Sequence, residues 1–185
     1  IKLSLRNFMC YRENVPPLNL DGMHVVLLCG ENGNGKSALF DAMTWALWGK
    51  SRARSNDDLV HSGEKEMEVE LEFAVGGQRY RVIRRHTKGS SSHPGQGDLQ
   101  LQISSDGSDF RSVTGDTLRE TEKKIIDILH MDYQTFINSA FLRQGHADEF
   151  ATKRPVERKQ VLADILGLSL YDELEERAKE LAKQQ

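Results

Sequence analysis

Eight consecutive residues, Gly30-Glu31-Asn32-Gly33-Asn34-Gly35-Lys36-Ser37, have the types and spacing of G-x-x-x-x-G-K-S. Three glycines within six positions let a backbone curl until successive N–H groups point at one cluster of oxygens. The amides from Asn32 through Gly33, Asn34, Gly35, Lys36 and Ser37 to Ala38 are candidates to hold phosphates. Lys36 supplies a point charge for β- and γ-phosphates, and the Ser37 hydroxyl is a candidate ligand for Mg²⁺. The chemistry expected is the binding of ATP with Mg²⁺.

Such a loop works only between a strand and a helix. The uncharged run Val25 to Cys29 reads as a buried strand. Behind the loop, Ala38, Leu39, Ala42, Met43, Ala46 and Leu47 recur at helical spacing, and Gly49 supplies a stop. The helix N-terminus adds the positive end of its dipole to the phosphate position.

Residues of 38% hydrophobic and 29% charged type suit a soluble globular protein, and the strand–loop–helix order reads as α/β. No apolar run approaches the ~18 residues of a membrane span, so no membrane partner is expected. Cys10 and Cys29 make no disulfide framework, and Cys29 closes the apolar run as a small core residue. A reducing, cytoplasmic setting follows from that cysteine usage. The net charge is −3 but uneven: residues 76–97 hold no Asp or Glu, while Arg79, Arg81, Arg84, Arg85 and Lys88 fall among them.

Ile1, Leu3 and Leu5 alternate with polar residues as a half-buried strand. Asp21-Gly22 is a turn, and the polar stretch from Lys50 to Lys65 is irregular. Met67, Val69, Leu71, Phe73 and Val75 alternate with glutamates, and Gly76-Gly77 turns the chain into Gln78 to His86. Glutamates therefore face arginines across a hairpin. Residues 87–98 form a loop, followed by strands around Leu99–Ile103 and Phe110–Val113 with Asp106-Gly107 between them. Thr117 and Glu120 fit a capping box ahead of a helix carrying Ile125, Ile126 and Leu129, with Asp127 on its solvated side. Asp132 caps a short helix running through Asn138, and Pro155 opens another that Gly167 ends. From Ser169 a last helix runs to Gln185 at near-heptad spacing.

A phosphate loop alone hydrolyses nothing quickly, because phosphoryl transfer also needs a second acid for the metal. An apolar strand ending in Asp is absent after residue 49. The set of catalytic groups is half a site.

Asn7-Phe8 after the first strand, the phosphate loop, and Asn138-Ser-Ala-Phe-Leu-Arg-Gln-Gly145 form one pattern. It resembles the N-terminal half of the head in SMC-like ABC ATPases of DNA double-strand-break repair, of the SbcC type. The resemblance implies a P-loop NTPase lobe over residues 1–168 and the root of an antiparallel coiled coil over 169–185. It implies a C-terminal half that completes the head and a second head joined on ATP. DNA, an SbcD-type nuclease subunit and a nucleoid-associated location go with it. Gln144 would be the Q-loop residue contacting Mg²⁺ and the attacking water, joining Lys36 as a catalytic group. Val60, His61 and Ser62 would line the nucleotide. The family often places Arg after Asn-Phe where this chain has Met9, and Arg12 is a candidate substitute. Arg84, Arg85 and Lys88 are candidates for DNA backbone contact or for neutralisation by the facing glutamates. Two other readings are a self-contained P-loop kinase or GTPase and a non-hydrolysing coiled-coil DNA-binding module. The guanine-reading Asn-Lys-x-Asp of a GTPase and the arginine-rich lid of a kinase are both absent from the sequence.

Overall fold

The structure is a computed structural model. It describes residues 1–90, 93–139 and 154–165, with residues 168, 174, 175, 177, 179, 180 and 182. The chain divides into two compact units, Ile1–Ile128 and Leu129–Gln185.

The first unit is built on an antiparallel sheet of strands β1 (Lys2–Arg6), β2 (Leu18–Asn19), β3 (Glu66–Val75), β4 (Gln78–Thr87), β5 (Gln96–Ser104) and β6 (Arg111–Ser112). Their spatial order is β2-β1-β3-β4-β5-β6. The alternating pattern fixes which face is dry. Leu3, Leu5, Met67, Val69, Leu71, Val82, Leu99 and Leu101 are buried, so each strand turns its apolar set to one side. Gly76 and Gly77 both have positive φ, 58° and 80°, as a two-residue hairpin between right-twisted strands requires. On the other side the strands stand in charged rows. Arg6, Glu68, Arg85 and Asp98 are register partners in turn, as are Lys2, Glu72 and Arg81. Arg81 bonds Glu72 at 2.8 Å, Arg85 pairs with Glu68, and Phe110 lies 3.8 Å under the Arg81 guanidinium. The glutamate–arginine facing expected from the sequence is the observed register.

Helix α1 (Lys36–Trp48) packs on β3 and β4. Its sheet side is made by Ala38, Asp41, Ala42, Trp45 and Ala46, small enough to bring helix and sheet close around Trp45. Leu39, Met43 and Leu47, read from the sequence as part of the inward stripe, are only half-buried, and Phe40 is 42% exposed. The buried Asp41 accepts from Arg52 Nε at 2.6 Å, and the Trp45 indole donates to Asn56 Oδ1. These bonds tie down residues 50–56, which are irregular as expected, before a 3₁₀ turn at Asp57–Leu59.

The expected strand at Val25–Cys29 is absent. These residues have no strand partner, and Val25 and Leu27 are 91% and 85% exposed. An apolar run becomes a strand only if a neighbour takes its backbone groups, and among the described residues none does. Cys29 is accordingly exposed, not a core residue.

Helix α2 (Leu118–Leu129) starts where Thr117 Oγ1 accepts from the Glu120 amide at 3.2 Å. The Glu120 carboxylate closes on the Asp116 amide, one residue before the capping-box partner expected. Asp127 is exposed and Ile125 fully buried, as their spacing required. Arg84 joins α2 to α1: it is 5% exposed, with Nε donating to Ala46 O at 3.1 Å and Nη1 to Glu122 at 2.9 Å. Burial pulls its pKa down, and Glu122 holds the charge in place.

In the second unit, α3 (Tyr133–Ser139) is capped by Asp132, whose carboxylate accepts from the Thr135 amide at 2.7 Å. It packs on α4 (Pro155–Ile165), which begins at the expected proline.

Arg84→Glu puts like charges together in a buried position and is expected to cost about 3–5 kcal/mol. Arg85→Glu, on the open face, is expected to cost about 1 kcal/mol or less. Denaturant unfolding of the two variants checks the contrast.

Candidate functional site

The phosphate loop is held by the conformations its glycines allow. Gly30, Gly33 and Gly35 have φ of 150°, 92° and 84°, and Gly35 is the left-handed residue from which α1 starts. Asn32, Gly33 and Asn34 are exposed, and Ser37 presents its hydroxyl on the exposed first turn. The Lys36 ammonium donates to the Gly30 and Glu31 carbonyls, both at 2.7 Å, arching over the loop it belongs to. Positive charge at a helix start favours an anion there.

The turn after β1 closes on this loop. Asn7 and Met9 both have positive φ, 54° and 50°, a conformation that is costly without glycine. Backbone bonds to residues 59–61 hold it: Met9 N to Leu59 O at 2.6 Å and His61 N to Asn7 O at 2.8 Å, with Phe8 bridged to Val60. Phe8 is fully buried and tilts against Trp45 at 5.9 Å. The turn so fixed lays Tyr11 on the loop, its hydroxyl donating to Gly35 O at 3.1 Å. Partial burial pushes the Tyr11 phenol pKa up, keeping it a donor. Cys10 Sγ lies so close that a Cβ on Gly35 would meet it at 2.4 Å.

His61 and Arg12 come together beside this turn, Arg12 Nε donating to His61 Nε2 at 3.3 Å. Val60 is buried and Ser62 exposed on the same segment. Asp57, three residues earlier, bonds His86 Nε2 at 2.6 Å, and that bond holds its carboxyl below the usual range. Thus Arg12 and His61, 49 residues apart in the chain, meet beside Val60 in one wall. Tyr11 and Cys10 belong to it and carried no signal in the sequence; the positive φ at Met9 that delivers them has none either.

A family model described as "AAA domain" matches residues 2–185. The chain belongs to the AAA domain family. Within this family its relatives are ATPases of Rad50 and SbcC type. The "DNA double-strand break repair Rad50 ATPase" of Thermoplasma volcanium is 34% identical over 171 residues, covering 90% of this chain and 18% of that protein. The SbcC component of the SbcCD nuclease of Deinococcus radiodurans is 29% identical over 178 residues, covering 95% of this chain and 19% of that protein. The "DNA double-strand break repair Rad50 ATPase" of Halobacterium salinarum is 32% identical over 178 residues, covering 96% and 19%. The resemblance read from residues 7–8, 30–37 and 138–145 is borne out. The chain spans about a fifth of the length of these curated relatives.

In this AAA domain Gln144 lies outside the described residues, as do most residues of 169–185. Arg84 is buried between α1 and α2, which removes it from the candidates for DNA contact. Arg85 is paired with Glu68 and Asp98. Among the described residues no helix is long and apolar enough to cross a membrane.

Gly35→Ala faces two separate penalties, about 1–2 kcal/mol for a left-handed backbone and the clash with Cys10. Adding Cys10→Ala is expected to recover the second part and leave the first, measured by thermal unfolding of the single and double variants.

Proposed function

We propose that this AAA domain is the ATP-binding half of an ATPase head of double-strand-break repair. The whole protein would dimerise head to head on ATP and couple hydrolysis to DNA tethering and to a nuclease of SbcD type. One observation carries the reading: a formed glycine-rich loop follows an exposed apolar run, Val25 to Leu27, that has no strand partner among the described residues. The loop fits the nucleotide by its donor set. The amides of the stretch Asn32 to Ala38, of which Asn32, Gly33, Asn34 and Ser37 are exposed residues, would together with the Lys36 ammonium suit the β- and γ-phosphates. Gly30 and Gly33 keep their surroundings clear, since a Cβ on either would meet nothing within 4 Å. Ser37 would hold Mg²⁺, with Gln144 as a second ligand that also orients the water. Bound Mg·ATP supplies the phosphoryl group and the metal charge that activates it. Arg12, Val60, His61 and Ser62 would border the nucleotide from the clamped turn.

The missing acid and the missing cover point to the same absent segment. Val25 to Leu27 lie exposed, and Leu39, Met43 and Leu47 of α1 are half-buried. A C-terminal half that pairs with the first and packs on the second would complete the sheet and bring the second metal-binding acid. Residues 169–185 would be the root of the coiled coil that links the halves.

Lys36→Ala removes a hydrogen-bonding charge worth about 1.5–3 kcal/mol, so Mg·ATP affinity of the whole protein is expected to fall at least tenfold by titration calorimetry. Unchanged affinity would show that the loop holds no nucleotide. Hydrogen exchange at Val25–Leu27 is expected to slow when the remainder of the polypeptide is present, and equal exchange rates would sink the two-half reading.

A further inference from the structure

His61 has both ring nitrogens committed. Its Nδ1 lies 2.7 Å from the Met9 carbonyl, which can only accept, so Nδ1 carries the proton. Its Nε2 lies 3.3 Å from Arg12 Nε, which can only donate, so Nε2 is bare. The two bonds define one neutral tautomer and leave the ring no nitrogen for a nucleotide. They also orient the arginine. Bonded through Nε, Arg12 keeps both Nη amines without a partner among the described residues, and it is exposed next to Tyr11, which touches Gly35. A guanidinium tethered at Nε and open at its fork is suited to grip a phosphate with two parallel bonds.

We infer that His61 is a positioning residue: through its Nδ1–H tautomer it reads the strained Met9 carbonyl and aims Arg12 as a second phosphate-binding cation beside Lys36. The inference rests on the nucleotide-site reading above and deepens it. The physical reason for the arrangement lies in Met9. Its left-handed backbone turns the carbonyl toward residue 61, so the position that carries no cation itself supplies the acceptor that orients one three residues later. An exposed arginine without such a tether loses side-chain freedom on gripping a phosphate, and the tether removes part of that cost in advance.

The test is a thermodynamic cycle on Mg·ATP affinity of the whole protein with Arg12→Ala, His61→Phe and the double variant, each checked by thermal unfolding. Arg12→Ala is expected to weaken binding about tenfold. His61→Phe, which keeps the ring and removes the acceptor, should lose most of the same factor. The double variant should be no worse than Arg12→Ala alone. His61→Gln offers an acceptor to Arg12 without a titrating ring and is expected to hold affinity within about threefold of the parent. Additive losses, or full affinity in His61→Phe, would overturn the positioning role. Nitrogen-15 spectra of the unmutated ring carry the test should His61→Phe fail to fold: protonated Nδ1 with a bare, hydrogen-bonded Nε2 supports the inference, and the opposite tautomer overturns it. Lys36→Ala separates the two levels. If it abolishes binding while the His61 variants do not matter, only the positioning role falls; if it too has no effect, the nucleotide reading falls with it.

Discussion

Helix α1 has almost no polar surface to give to water, and much of the structure answers that constraint. Its two interior polar residues, Asp41 and Thr44, are on the buried side, where Arg52 and the helix's own carbonyls satisfy them. Leu39, Met43, Leu47 and Phe40 make up its more open side. A helix apolar all round is stable only when covered on both sides. The antiparallel sheet covers one side through Ala38, Ala42, Trp45 and Ala46, and in doing so fixes the helix start at Gly35. The phosphate loop is therefore positioned by packing along the helix behind it as well as by its own glycines.

The second constraint is the turn from Asn7 to Met9. Two left-handed non-glycine residues cost of order 1–3 kcal/mol each, and the turn persists because Phe8 is buried under Trp45 and two backbone hydrogen bonds bridge it to residues 59–61. The same contacts bring Tyr11 to the Gly35 carbonyl and Arg12 to His61. Strain in the backbone is thus exchanged for a fixed wall beside the loop, linking the N-terminal strand to a segment fifty residues later.

Charge on the sheet is neutralised internally. The arginines of β4 have separate jobs: Arg81 and Arg85 neutralise the glutamates of β3, Arg79 pairs with Asp21, and Arg84 bridges α1 and α2 from inside the core. A basic run read only as charge suggests a surface for a polyanion, yet a paired guanidinium offers little to a phosphate without losing its partner.

Residue order alone was enough for the glycine loop ahead of α1, the hairpin at Gly76-Gly77, the glutamate–arginine register and the starts of three helices, because each rests on local spacing or on a residue with one conformational role. Gly35 and Pro155 are such residues, and so are Thr117 and Asp132. The fate of Val25–Cys29 was settled only by the folded arrangement, since an apolar pentapeptide becomes a strand when a neighbour pairs with it and not before. Packing also decided that Arg84 is buried and that Leu39 and Met43 are not, because the side of a helix with apolar residues all round is chosen by what packs on it. The wall of Tyr11, Arg12 and His61 was least legible: it depends on a left-handed methionine, and no side-chain type announces that a distant backbone will hold it there.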